Sequence, residues 1–145
     1  MRALEPDAMA RAFAINAIGP ALVAKHLLPH MSRAQPSVFA ALSARVGSIS
    51  DNRSGGWYSY RASKAALNQI VRTAAIELGR ARPDALCVAI HPGTVATRLS
   101  QRFTKSGLDI QSPENAAMRI LSVLNTLPAN ASGGFFDQLG RPIPW

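Results

Sequence analysis

One cysteine, Cys87, is all that this 145-residue sequence contains. No disulfide can form within the chain, which excludes a disulfide-stapled secreted scaffold and makes a reducing cytoplasm the expected setting. The neighbours of Cys87, Ala85-Leu86 and Val88-Ala89-Ile90, are apolar, so the thiol reads as a buried structural group rather than a nucleophile. Acidic residues are scarce too, 8 against 16 Lys and Arg, for a net charge of +8. Such an excess raises nucleic-acid binding as a function class. Its distribution argues against that class: Arg11, Lys25, Arg33, Arg45, Arg53, Arg61, Arg72, Arg80, Arg98 and Arg119 are scattered, aromatics do not interleave with them, and no zinc-ligand spacing is present. No metal site is expected. The longest nearly uncharged apolar stretch, Ala12 to Ala24, is shorter than a bilayer requires and carries Asn16. The start, Met1-Arg2-Ala3-Leu4-Glu5-Pro6-Asp7, lacks the apolar segment of a signal peptide. The expectation is a protein with no membrane span.

What is present is one domain's worth of chain, 48% hydrophobic, enough to bury a core. Pro6 opens a long helical pattern that runs to about Met31, with a bend expected at Pro20. Ser37 to Leu42 is a short continuous apolar run, the type expected of a parallel strand covered on both faces. A Ser/Gly/Asn-rich loop, Ser43 to Trp57, leads into a second helix from Tyr58 to Arg80, in which Ala66, Leu67, Ile70, Val71, Ala74, Ala75 and Leu78 recur at three-and-four spacing. Pro83-Asp84 ends it, and Ala85 to Ile90 is another buried strand closed by the turn His91-Pro92-Gly93. Ser112-Pro113 starts a third helix as cap and first helical position. Gly133-Gly134-Phe135-Phe136 is a last strand. Helices alternating with all-apolar strands predict an α/β parallel sheet built by right-handed crossovers.

Tyr60 and Lys64 lie four apart near the start of the second helix and so share one face. Tyrosine ionises near pH 10 and is a poor base at neutrality. An ammonium one turn away favours the phenolate and lowers that value, which would let the pair move a proton to or from a hydroxyl or carbonyl oxygen. Alone, such a pair is more often two residues on a solvated surface. Its setting changes the reading. The pair follows a buried strand and the loop Ser43-Ala44-Arg45-Val46-Gly47-Ser48, it stands in Tyr58-Ser59-Tyr60-Arg61-Ala62-Ser63-Lys64, and the next strand ends in His91-Pro92-Gly93-Thr94-Val95-Ala96-Thr97. Phe13-Ala14-Ile15-Asn16 lies mid-helix upstream. In this order the four features resemble the short-chain dehydrogenase/reductase family, over essentially the whole chain. The Gly55-Gly56-Trp57-Tyr58 lead-in and the Ile143-Pro144-Trp145 ending resemble its sniffer-type and C-factor-type carbonyl-reductase branch.

The resemblance implies an oxidoreductase that transfers hydride between NAD(P)(H), with NADP favoured by the branch, and a small carbonyl or alcohol. It implies Tyr60 as general acid/base, Lys64 holding the nicotinamide ribose and depressing the tyrosine pKa, and Asn16 holding a water in the proton relay. Pro92, Gly93, Thr94, Val95 and Thr97 would meet the nicotinamide end. Without the resemblance, Asn16 reads as a helix asparagine and the Pro92–Thr97 turn as a plain strand end. The family places a serine where this chain has Ala44; Ser43 is taken first as its replacement and Ser48 second, or the site lacks that hydrogen bond. A homodimer through the two long helices is implied as well. No G-x-x-x-G-x-G or G-x-G-x-x-G pattern occurs in the sequence. The expectation is therefore residues 1–145 as a partial domain: the C-terminal part of a Rossmann-type doubly wound parallel sheet, with three strands and three main helices. The N-terminal cofactor half, about ninety residues by usual domain size, would be absent. The alternative is a non-catalytic remnant or an interaction module.

Overall fold

Proline at a first helical position loses nothing by lacking an N–H, and Pro6 accordingly opens α1, Pro6–Phe13. The computed structural model describes residues 4–97, 100 and 110–145. After α1 the chain widens into a π-helical turn, Ala14–Ile18, continues as α2, Gly19–Leu27, and tightens into a 3₁₀ turn, Leu28–His30. The expected bend at Pro20 is instead this widened turn. Pro20 cannot donate to the Asn16 carbonyl four residues back, and the turn before it shifts to the wider pattern, with the Gly19 N–H donating to Ala14 O.

The unbroken helix Pro6–His30 has 25 residues and a mean hydropathy of 1.2 in its most apolar window, so by length and composition it could cross a membrane. The expectation of no membrane span, drawn from Ala12 to Ala24 alone, is not overturned by this, since a helix of a soluble protein passes the same test of length and composition. In this fold the helix lies against the second long helix, with contacts from α1, the π turn and α2.

β1, Ser37–Leu42, and β2, Ala85–His91, pair in parallel with Ser37 opposite Ala85 and Leu42 opposite Ile90. Between them runs α3, Tyr58–Ala81. Two residues each make β3, Thr94–Val95, and β4, Ile110–Gln111, a small parallel ladder of its own that sequence periodicity does not reveal. α4, Pro113–Thr126, starts where Ser112 Oγ accepts the Asn115 N–H. β5, Phe135–Asp137, completes a three-stranded sheet ordered β1-β2-β5.

The central strand β2 is buried from Ala85 to Ile90. Its alternate residues feed two cores, as strand geometry requires. Ala85, Cys87 and Ala89 pack with Ala41, Leu67, Val71, Ala75, Leu78 and Phe135 on the α3 side. Val88 and Ile90 pack with Val123, Ile120 and Phe136 on the α4 side. Helices on both faces of a parallel sheet make this a doubly wound α/β fold. Cys87 is fully buried, and burial pushes its thiol up to about 11, in keeping with a structural role.

Candidate active site at the carboxyl ends of β1 and β2

In open α/β sheets, ligands meet the carboxyl ends of the strands. Here those ends are tied together, the Ser43 N–H donating to Ile90 O at 2.7 Å. The first turn of α3 lies over them. Lys64 Nζ donates to Leu42 O at 2.9 Å. Gly47, in the 3₁₀ turn Arg45–Gly47, sits so close to α3 that an added Cβ would fall 2.7 Å from Lys64 Cβ. A larger residue there would lift the loop off the helix that carries the site.

Tyr60 and Lys64 are neighbours as the spacing predicts, with Nζ 5.9 Å from the phenol ring centroid. Their electrostatics differ from the expectation. Burial raises the Tyr60 phenol above its ordinary value and lowers the Lys64 ammonium below its own. The expected depression of the tyrosine pKa does not appear, because burial outweighs what the neighbouring lysine contributes.

Half-buried Asn16 lies in the π turn, and its Nδ2 donates to Ser63 Oγ at 3.1 Å; Ser63 Oγ in turn donates to Tyr60 O at 2.9 Å. Asn16 is thus brought to the turn of α3 that carries Tyr60 and Lys64. Ser43 is not brought into the site: it is buried and its hydroxyl donates to Asn68 Oδ1 at 2.6 Å, under α3. Ser43 as replacement for the missing serine is therefore corrected, because its hydrogen is committed to the core. Ser48 is also buried, its Oγ accepting the Asp51 N–H at 3.0 Å. Pro92, Gly93, Thr94 and Val95 are half-buried past the end of β2, and Thr97 is exposed with its N–H donating to Ser100 Oγ. Pro92 O accepts from Gln111 Nε2, and Gly93, at φ 78°, has the amides of Gln111 and Gln138 where a Cβ would stand.

Sequence reasoning missed a charged cluster at the same strand ends. Asp137 is buried; Oδ1 accepts the N–H groups of Leu139 and Arg141, while Oδ2 accepts Arg141 Nε at 2.8 Å and lies 3.7 Å from Arg45 Nη2. Burial works to raise its carboxyl, but these bonds outweigh it and hold it below the ordinary value. His91, opposite Asp137 in the β2–β5 register, is pushed down to about 4 by burial first and Arg45 second, against Asp137. The Asp137-x-Leu139 turn was the available signal. Arg61 and Asn68 were missed as well, although Asn68 lies one turn beyond Lys64 on the same face.

As a cofactor cradle the residues fit one end of a dinucleotide. Tyr60 and Lys64 stand together over the end of β1, and the Pro92–Thr97 turn follows the end of the neighbouring strand β2. The glycine-rich turn that would take the pyrophosphate is not in this sequence. Among the described residues no cluster of His, Cys, Asp or Glu could hold a metal ion.

The sequence profile described as enoyl-(acyl carrier protein) reductase matches residues 1–122. C-signal of Myxococcus xanthus is 39% identical over 139 residues, covering 94% of this chain and 78% of that protein. Among solved structures, the carbonyl reductase Sniffer of D. melanogaster matches 100% of this chain with a TM-score of 0.87 at 27% identity. An NADPH-bound carbonyl reductase from chicken fatty liver matches with the same TM-score, identity and coverage. This chain spans 60% of the length of each of those two structures. A site built on Tyr60 and Lys64 at the carboxyl ends of a parallel sheet, together with these matches, shows that the chain belongs to the short-chain dehydrogenase/reductase family.

Proposed function

We propose that this chain carries the proton-transfer and ring-binding part of an NAD(P)-dependent oxidoreductase acting on carbonyl and alcohol groups, with Tyr60 as the general acid/base. One observation carries the reading: Tyr60 and Lys64 stand one above the other on the first two turns of α3, with Lys64 bonded to the carboxyl end of β1. In the reductive direction the Tyr60 hydroxyl donates its proton to the carbonyl oxygen, which suits a phenol kept protonated by burial. Lys64 would hold the ribose hydroxyls, its ammonium offsetting the negative charge left on the phenolate once the proton has gone, and Asn16 steadies the turn through Ser63. Thr94, Val95 and Thr97 would hold the nicotinamide end, with Pro92 and Gly93 shaping the turn. The cofactor supplies or accepts the hydride. NADP is favoured over NAD because a structure matched across the whole chain is NADPH-bound. With Ala44 in place of a serine and Ser43 committed to Asn68, Tyr60 polarises the carbonyl without a serine hydroxyl, or Ser48 does so after a local shift.

The test is Tyr60→Phe in the chain joined to a dinucleotide-binding half of the family, assayed by NADPH oxidation with a reactive aldehyde or quinone. Turnover should fall at least ~10²-fold, the scale of general acid/base catalysis, with substrate binding little changed. Near-normal turnover would remove Tyr60 from this role. The 145 residues alone should bind NADPH weakly. The pyrophosphate is ordinarily held by backbone N–H groups and a helix dipole, and losing ~4 kcal/mol there raises Kd about a thousandfold. Submicromolar binding in a fluorescence titration would contradict this.

A second reading, an interaction module, is favoured by the apolar surface on Ile15, Ile18, Leu22, Val23 and Leu27, each more than half exposed. The two readings are compatible if that surface seats a second copy of the chain. A cytoplasmic setting belongs to the same proposal.

A further inference from the structure

The loop between β1 and α3 is tied at both ends by one side chain. Arg61 follows Tyr60 on the first turn of α3. Its Nε donates to Gly55 O at 3.2 Å and Gly56 O at 3.0 Å, and its Nη1 donates to Val46 O at 3.1 Å. Its guanidinium carbon stands 5.8 Å from the centroid of the Trp57 ring. The carbonyls are turned toward it by an uncommon backbone: Gly55, Gly56 and Trp57 have φ of 59°, 72° and 49°. Glycine enters this left-handed region freely, but a tryptophan there is rare and is held by its surroundings. At the other end, Val46 precedes Gly47, the residue that touches Lys64. Some other bonds of the loop are local to it, such as Arg45 to Asp51 and the Gly55 N–H to Asn52 Oδ1, while the Ser50 N–H donates to Trp145 O and Arg45 also reaches Asp137.

We propose that Arg61 is a positioning residue for Tyr60: by gathering the carbonyls of Val46, Gly55 and Gly56 it closes the Arg45–Trp57 loop against the first turn of α3 and sets how much solvent reaches the phenol. The inference deepens the reading of Tyr60 as the acid/base and rests on it for its functional meaning. The chemistry favours arginine specifically. A planar guanidinium presents several N–H groups in a fixed fork and can take three carbonyls at once, whereas a lysine ammonium is a point donor.

The sequence holds two tyrosines and two tryptophans, which gives clean probes in the whole chain. In a Tyr58→Phe background, Tyr60 is the sole phenol, and its ionisation is followed by ultraviolet absorbance against pH. In a Trp145→Phe background, acrylamide quenching reports Trp57 alone. With Arg61 present, Tyr60 should titrate above the ordinary value of about 10. Arg61→Ala should bring it back toward that value and raise Trp57 quenching at least about twofold, with the far-ultraviolet circular dichroism unchanged. Arg61→Lys should behave more like the alanine variant than the parent. If Arg61→Ala does not fold, Arg61→Lys and Arg61→Gln carry the same two readings. A folded variant in which neither reading moves overturns the proposal, and so does one in which Trp57 is freed while Tyr60 titrates as before. Neither probe needs turnover. A failed Tyr60→Phe test would therefore remove the acid/base role and leave the loop result standing, and the converse would leave the acid/base role standing.

Discussion

The two edges of the three-stranded sheet are finished differently. Along β5 the chain covers its own edge: the Ile143 N–H donates to Phe135 O at 2.8 Å, the Asp137 N–H donates to Arg141 O at 2.9 Å, and Phe136 bridges to Pro142. Trp145 then stacks on Phe135, ring centroids 5.6 Å apart. Along β1, among the described residues, no strand pairs with the outer side, and Val38 and Leu42 are 43% and 57% exposed. The apolar side chains of the π turn and α2, Ile18, Leu22, Val23 and Leu27, are exposed as well. An unpaired apolar edge is a template for another chain. The candidate site leans on the open side, since Lys64 is bonded to the end of β1. The chemistry and the unfinished surface therefore belong to the same part of the molecule, and the closed edge serves as the rigid support behind it.

If the closed edge is that support, its central side chain should matter most. Phe135 is 2% exposed and packs in the core on the α3 side. Phe135→Ala should cost about 3–5 kcal/mol, read as a drop in the urea midpoint at unchanged slope. A loss under about 1 kcal/mol would mean that the tail and β5 are not packed as described.

The next effect is a pH dependence seated where β2 meets β5. His91 has a buried Nδ1 with no hydrogen-bond partner and a value pushed down to about 4. Between that value and the unfolded value near 6.5, the unfolded chain binds a proton that the folded chain refuses. Stability from this group is therefore complete above about pH 6.5 and is lost as the pH falls toward 4, by roughly 3 kcal/mol at most. His91→Gln should flatten that slope in melts between pH 4.5 and 7. An unchanged slope would assign the acid sensitivity to other groups.

What could be read beforehand follows from how local each cause is. β1 was legible because Ser37 to Leu42 is an uninterrupted apolar run, and α4 because Ser112 and Pro113 mark its start within two residues. Tyr60 and Lys64 were legible because a helix converts a spacing of four into adjacency. The π turn was not, since it depends on how the Ala14–Ile18 carbonyls rearrange before Pro20. Nor was the fate of Ser43, whose partner Asn68 is 25 residues away. Asp137 was missed for the same reason: its fourth contact, Arg45, comes from the 3₁₀ turn after β1, far away in sequence. The direction of the Tyr60 shift was misjudged because spacing gives proximity to Lys64 but not burial, and burial decides the sign.

The smallest expected effect on stability falls on the open edge, and it separates the two edges most cleanly. Val38 and Leu42 are large apolar residues near half exposure, so Val38→Lys with Leu42→Lys removes little buried area and should leave the unfolding free energy from urea melts within about 0.5 kcal/mol of the parent. Lysine on an edge is a common guard against strand-to-strand association. Sedimentation velocity at tens of micromolar should show the parent chain associating and the double variant less so. A companion change, Leu22→Ser with Leu27→Ser, tests the helical part of the same surface. If the strand variant alone abolishes association, the edge of β1 is the contact. If only the helical variant does, copies meet through α2 and α3, as the proposed dimer requires. A monomeric parent at that concentration would remove self-association by either route, and the exposed surface would then have to be explained by a different chain.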